Sequence, residues 1–176
     1  GPVDHLFALP ILANYVKESI DTSLATVVSP DAGRVRVAEK WTDVLGAPLA
    51  IIHKRRDPDV PNQVKMFEVV GEVEGRICII VDDMIDTGGT IATAAQTLKD
   101  NGAAEVIVTA THGIFSPPAQ ERLQNSEAIT KVVVTDTLPI AHENHFEKLV
   151  VLPSAPLIAQ AIREVFTEGS VTRLFD

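Results

Sequence analysis

Cys78-Ile79-Ile80-Val81-Asp82-Asp83-Met84-Ile85-Asp86-Thr87-Gly88-Gly89-Thr90 is the stretch around which the chain organises. A strand-like apolar run ends in two carboxylates, and a loop with adjacent glycines then opens a helical pattern over residues 90–101. Ile91, Ala94, Ala95 and Leu98 fall on one face of that pattern, and Gly102 stops it. Glycine tolerates positive φ and close backbone approach, so the amides of residues 87–90 are able to converge on a single anion. The helix adds the positive end of its dipole, and Thr87 and Thr90 add hydroxyl donors. Asp82 and Asp83 stand upstream, placed to accept hydrogen bonds from sugar hydroxyls or to face a magnesium ion. A phosphate site beside a diol site describes a sugar phosphate. Helix capping by Asp86 with two solvated acids is the plainer reading. Three acids and two glycines within eight residues exceed what a cap needs. The loop is neither G-x-x-x-x-G-K-[ST] nor G-x-G-x-x-G, and both motifs are absent from the chain.

Outward from this loop, residues 25–28, 49–52, 77–81, 105–109, 131–135 and 149–152 read as short, largely β-branched strands buried on both faces. Helical patterns lie between them. Residues 35–45 carry Val37, Ala38, Trp41 and Leu45 on one face. Residues 151–166 place Pro153 near a helix start, followed by Leu157, Ile158, Ala161, Ile162 and Val165. Such alternation predicts an α/β fold: an open, mostly parallel twisted sheet flanked by helices, with ligands bound beyond the C-terminal strand ends. Residues 62–75 depart from it, Lys65 to Val70 reading as an extended arm or hairpin.

The 176 residues suit a single domain over 1–176, and 45% apolar with 22% charged residues is globular composition. A net charge of −9 disfavours nucleic acid or an anionic membrane as main partner. Cys78 is the only cysteine, which excludes an internal disulfide framework, and its place in an apolar strand predicts an inert core thiol. No apolar run approaches the roughly 20 residues of a membrane span, and no secretory signal is visible after Gly1-Pro2, so a soluble cytoplasmic domain is the expectation. One region opposes the acidic balance: residues 31–56 hold six of the fifteen Lys and Arg against three acids, a local charge of +3. Beside a phosphate loop, this basic island suits a polyphosphate or is simply a solvated loop.

The segment from Cys78 to Thr90 resembles the phosphoribosyl diphosphate signature of type I phosphoribosyltransferases and of the ribose-phosphate diphosphokinase (PRPP synthetase) family. Val27-Val28-Ser29-Pro30-Asp31-Ala32-Gly33, Ile51-Ile52-His53-Lys54-Arg55-Arg56, Thr111-His112-Gly113-Ile114-Phe115-Ser116 and Thr135-Asp136-Thr137-Leu138-Pro139 are similar to the diphosphokinases, in order and over nearly the whole chain. The resemblance covers the C-terminal half of that enzyme. It implies that the absent N-terminal half supplies much of the ATP surface and a metal-holding histidine, and that this part alone is inactive.

Carried over by position, the resemblance gives Asp86, Thr87, Gly88, Gly89 and Thr90 the 5-phosphate of ribose 5-phosphate. Asp82 and Asp83 take the 2- and 3-hydroxyls. Asp31 becomes a magnesium ligand, Gly33 part of the pyrophosphate loop, and Lys54 and Arg56 the pair that stabilises the transferring phosphoryl group. Where many members have two glycines after the aspartate, this chain has Gly33 then Arg34. The implied reaction moves diphosphate from MgATP to the 1-hydroxyl of ribose 5-phosphate in a homo-oligomer, commonly a hexamer. A phosphoribosyltransferase consuming that product and a non-catalytic associated subunit are the alternatives. His142-Glu143-Asn144-His145 is one residue short of H-E-x-x-H and reads as a surface loop. His112, at a strand end, is a candidate neighbour of nucleotide.

Overall fold

The computed structural model describes residues 3–55 and 66–175, of which Lys54, Arg55 and Met66 by backbone alone. Seven strands form one sheet: β1 (Ala25–Ser29), β2 (Leu49–Arg55), β3 (Met66–Val70), β4 (Ile77–Ile85), β5 (Glu105–Gly113), β6 (Lys131–Thr135) and β7 (Leu149–Leu152). Their order is β3-β2-β1-β4-β5-β6-β7. All neighbours run parallel except β2 and β3, which pair as an antiparallel hairpin from Ile51↔Val70 to Arg55↔Met66. The segment expected as an arm is thus an edge strand of the main sheet, and residues 62–65 lie outside the described part.

Alternate residues of the central strands feed two cores, as period-two side-chain geometry requires. Ile79 and Val81 of β4 meet Trp41, Leu45, Leu12 and Val16 from α2 (Val35–Leu45) and α1 (Leu9–Ser19) on one face. Cys78 and Ile80 meet Ile91, Leu98 and Leu123 from α3 (Gly89–Asp100) and α4 (Ala119–Asn125) on the other. Cys78 is fully buried, and burial pushes its thiol up to about 11, so it stays protonated.

Two expectations need correction. The helical pattern at 151–166 begins as β7, and α5 spans only Ala155–Phe166. Its apolar stripe does not enter the core: Ala161 is buried, while Ile158, Ile162, Val165 and Phe166 stand exposed. Val37 of α2, expected on the buried face, is also exposed. The sequence reading passed over α1 and α4. α1 carried a start signal in its N-terminal proline, whereas α4 is seven residues long and buries only Ala119 and Leu123, too few to establish a period.

The order of connections decides where a ligand fits. From β1 the chain crosses outward through α2 to β2 and β3, then returns to β4 on the opposite side of β1. The C-terminal ends of β1 and β4 therefore flank the point where the winding reverses, which in open α/β sheets is the ligand crevice.

Candidate sugar-phosphate site at the switch point

Asp31 follows β1, and Asp82 and Asp83 lie on the last residues of β4, which runs to Ile85 rather than stopping at Val81. β5 likewise extends to Gly113, and the β4–β5 ladder continues through Asp82↔Ala110 and Met84↔His112. The carboxylates therefore stand on rigid strand, not on a loop.

Beyond Ile85 the backbone turns sharply. Ile85 accepts from the amides of Ile114 and Phe115 at 2.9 and 3.1 Å, which pins the end of β4 against the loop after β5. Gly88 then takes the N-cap position of α3 in the left-handed conformation, φ 69°, and no side chain caps the helix. Among the described residues, none of the amides of Asp86, Thr87, Gly88, Gly89 and Thr90 donates to a protein acceptor. Donors left open at a helix N-terminus form an anion site. Asp86, Thr87 and Thr90 are exposed around it. Asp86 neither caps the helix nor pairs with a described cation, so the capping reading fails here.

A cation reaches this loop from a residue that sequence reasoning missed. Arg122 on α4 donates through Nη1 to the carbonyl of Thr87, and its guanidinium lies 3.4 Å from where a Cβ on Gly89 would be. Nothing local in the sequence around Arg122 marks it; only the packing of α4 against α3 brings it there.

Arg34 joins the two halves of the site. Its Nε lies 3.3 Å from Asp82 Oδ1 and its Nη2 2.7 Å from Asp83 Oδ2. Asp31 Oδ1 accepts from the amides of Gly33 and Arg34 at 2.7 and 3.1 Å, so this oxygen closes the turn after β1. Its Oδ2 has no partner among the described residues and is the atom open to a cation. No cluster of three or more His, Cys, Asp or Glu able to hold a metal occurs among the described residues. The side chain of Lys54 and all of Arg56 lie outside the described part; the backbone of Lys54 pairs with Phe67 at the end of β2.

The two acids titrate differently. Burial lifts Asp82 to about 6, partly countered by the Asp83 amide and Arg34. Asp83 is held below the ordinary carboxylate value: its own burial works the other way, but the Asp82 carboxyl and the Arg34 guanidinium outweigh it. The folded chain binds the Asp82 proton more tightly than the unfolded chain does. That stabilisation is complete below pH 3.8 and is lost as pH rises through about 6. Asp83 has its effect only in more acidic solution. Asp82→Asn, which cannot ionise, should therefore gain stability over the wild type as pH rises from 4 to 7, by about 2 kcal/mol at the top of that window. Melting temperatures of both proteins across that range check this; curves that stay parallel would remove the shift.

Other polar residues at the strand ends have partners within the fold. Asp136 Oδ1 accepts from Ser154 N and Oγ at 2.7 and 2.6 Å, tying β6 to the start of α5. His112 Nδ1 lies 2.8 Å from Thr137 Oγ1. His142 to Asn144 form a short 3-10 turn at the surface. A cleft of about 410 Å³ lined by Gly71, Glu72 and Arg76 lies at the opposite end of the sheet. Its arginine is already bound to Thr26 Oγ1 and the Ala25 carbonyl at 2.6 Å each, so the cleft has no part in this site.

Fold and site define a class, open and mostly parallel α/β proteins with an uncapped helix N-terminus at the switch point. The sheet is shared with adenine phosphoribosyltransferase from Giardia lamblia, TM-score 0.53 at 14% identity over 72% of this chain, a likeness of fold alone. The phosphoribosyl synthetase-associated domain matches residues 58–176, and the chain belongs to that family. Ribose-phosphate pyrophosphokinase from Streptomyces coelicolor is 65% identical over all of this chain and 54% of its own length. Its counterpart from Mycobacterium leprae is 56% identical with the same coverage. The crystal structure of phosphoribosylpyrophosphate synthetase from Mycobacterium smegmatis superposes with TM-score 0.86 at 50% identity, over 96% of this chain and 54% of that one. The chain thus spans about half the length of the relatives it matches. Among the described residues, no helix is long and apolar enough to cross a membrane.

Proposed function

We propose that this chain is the ribose 5-phosphate-binding domain of a ribose-phosphate diphosphokinase. The observation that carries the reading is the set of unpaired amides at residues 86–90, on the N-terminus of α3 and beside Asp82 and Asp83 at the switch point. The 5-phosphate sits on the amides, and the ribose hydroxyls donate to the carboxylates. The sugar's 1-hydroxyl then points across the crevice toward the turn after β1.

In the reaction, the 1-oxygen bonds to the β-phosphorus of ATP as the bond from that phosphorus to the α,β-bridging oxygen breaks. AMP leaves, and the hydroxyl proton passes to solvent or a base. Such transfers depend on alignment and charge neutralisation. Lys54 supplies a compact charge and Arg56 a fork matched to phosphate oxygens. Asp31, with Oδ2 open, is a fitting ligand for magnesium, which keeps several waters and is usually held by one or two carboxylates plus substrate phosphates. Bound there, magnesium would neutralise polyphosphate charge. We read residues 1–176 as one domain of a cytoplasmic homo-oligomer whose remaining part completes the ATP site.

Calorimetry of this chain with ribose 5-phosphate should show binding. Ribose 5-phosphate-dependent release of AMP from MgATP should appear only when the chain is joined to the part its relatives carry in addition. AMP release without ribose 5-phosphate, or no binding of the sugar phosphate, would refute the reading. Binding with no AMP release from the joined protein would make it a non-catalytic subunit.

A further inference from the structure

We infer that Arg34 is a built-in competitor for the sugar: its guanidinium occupies the diol acceptors Asp82 and Asp83, and ribose 5-phosphate must displace it to bind. This rests on the proposed sugar-phosphate reading and adds to it a residue that sets how strongly the sugar hydroxyls are felt.

The geometry is specific. The guanidinium forks onto two adjacent carboxylates, taking Asp82 Oδ1 with Nε and Asp83 Oδ2 with Nη2. Asp82 Oδ1 also accepts the Asp83 amide at 2.8 Å. Asp83 Oδ1 is sealed from solvent and accepts no hydrogen bond among the described residues. At most Asp82 Oδ2 is left for an incoming hydroxyl, whereas a cis-diol offers two donors. A buried acceptor without a donor is costly, so Arg34 leaves Asp83 incompletely satisfied. The carboxylates cannot serve guanidinium and diol together.

Displacement is also easy. The Arg34 side chain is 37% exposed and Asp83 38%, so that pair is of the weak, solvent-screened kind; Asp82 is 16% exposed, and its longer 3.3 Å contact to Nε is the better shielded of the two. Its backbone is fixed independently, by the Asp31 carboxylate on its amide. The side chain therefore swings from a stationary base, next to the turn where a polyphosphate would lie, and no part of the fold has to open.

The test compares ribose 5-phosphate with 2-deoxyribose 5-phosphate by calorimetry on this chain. Both carry the same phosphate, so cradle contributions and long-range charge effects cancel in the ratio of their dissociation constants, which reports the hydroxyl contact. In Arg34→Ala the preference for ribose should rise about three- to tenfold, the range that two partly exposed ion pairs are able to hold back. Arg34→Lys, which reaches one acid at a time, should fall between. Arg34→Gln should match alanine and guards against a local effect of the shorter side chain. If Arg34 instead holds the carboxylates in place for the sugar, the preference falls in both neutral variants, and the inference is wrong; an unchanged ratio overturns it equally. In all these outcomes ribose 5-phosphate still binds. Failure of both sugars to bind the wild type is a different result, which removes the sugar-phosphate reading and the competitor with it.

Discussion

Gly88→Val should abolish measurable binding of ribose 5-phosphate, at least about a hundredfold loss, while the sheet stays folded. Gly88 holds φ 69°, and a Cβ there would come within 3.3 Å of the Leu123 side chain, which is itself fully buried. A left-handed non-glycine residue costs about 1–2 kcal/mol before any crowding. A β-branched side chain facing Leu123 has no space to move into. The loop relieves both by rotating its peptides, and the amides at 86–90 lose their convergence. A hydrogen bond to a charged group is worth about 1.5–3 kcal/mol, so losing one or two of these donors already reaches a hundredfold. Gly46→Ala is the control: φ is 64° but nothing lies within 4 Å of its Cβ position. It carries the backbone strain at a helix C-cap remote from the loop, and should lower the melting temperature without changing the affinity. Calorimetry and thermal melts of both variants decide the matter; undiminished binding by Gly88→Val would mean that the phosphate is held elsewhere.

Lys54→Ala in the protein completed with its relatives' additional part should lower kcat by two to three decades, about 3–4 kcal/mol of transition-state stabilisation. Its affinity for ribose 5-phosphate should stay within about twofold. The asymmetry follows from the sheet. Lys54 sits near the end of β2, separated from β4 by β1, whereas the sugar acceptors and the cradle belong to β4 and α3. On the proposed reading, a cation on that side addresses the polyphosphate, not the sugar. An interaction present only in the transition state shows itself in kcat. Rapid-quench turnover together with equilibrium titration separates the two effects. A large loss of sugar-phosphate affinity at intact turnover would contradict the assignment.

The open, uncapped loop before α3 was legible because its conformation is local. Adjacent glycines after a strand, followed by a helical period, allow a left-handed residue and an uncapped helix start, and Gly88 takes that conformation. Lys131 to Thr135 and Leu149 to Leu152 were readable as strands, as was the helix over Val35–Leu45, because period and β-branching survive in short windows. Strand ends were less clear: β4 and β5 each continue past the apolar run, since ladder bonds from a neighbour hold polar residues in extended form as readily as apolar ones. The stripe on α5 shows the converse. Ile158, Ile162 and Val165 have the spacing of a buried face, yet spacing says only that a face is apolar, not what covers it.

By itself, the sequence determined the alternation of strands and helices, the glycine loop at 86–90 and the acids before it, because each depends on residues within a short window. The tertiary structure decided that β4 lies beside β1, and hence that Arg34 meets Asp82 and Asp83. It decided equally that Arg122 reaches Thr87. Those pairings join residues tens of positions apart, and they form only when crossover connections and two packed cores have chosen the order of the strands, a choice that no local window contains.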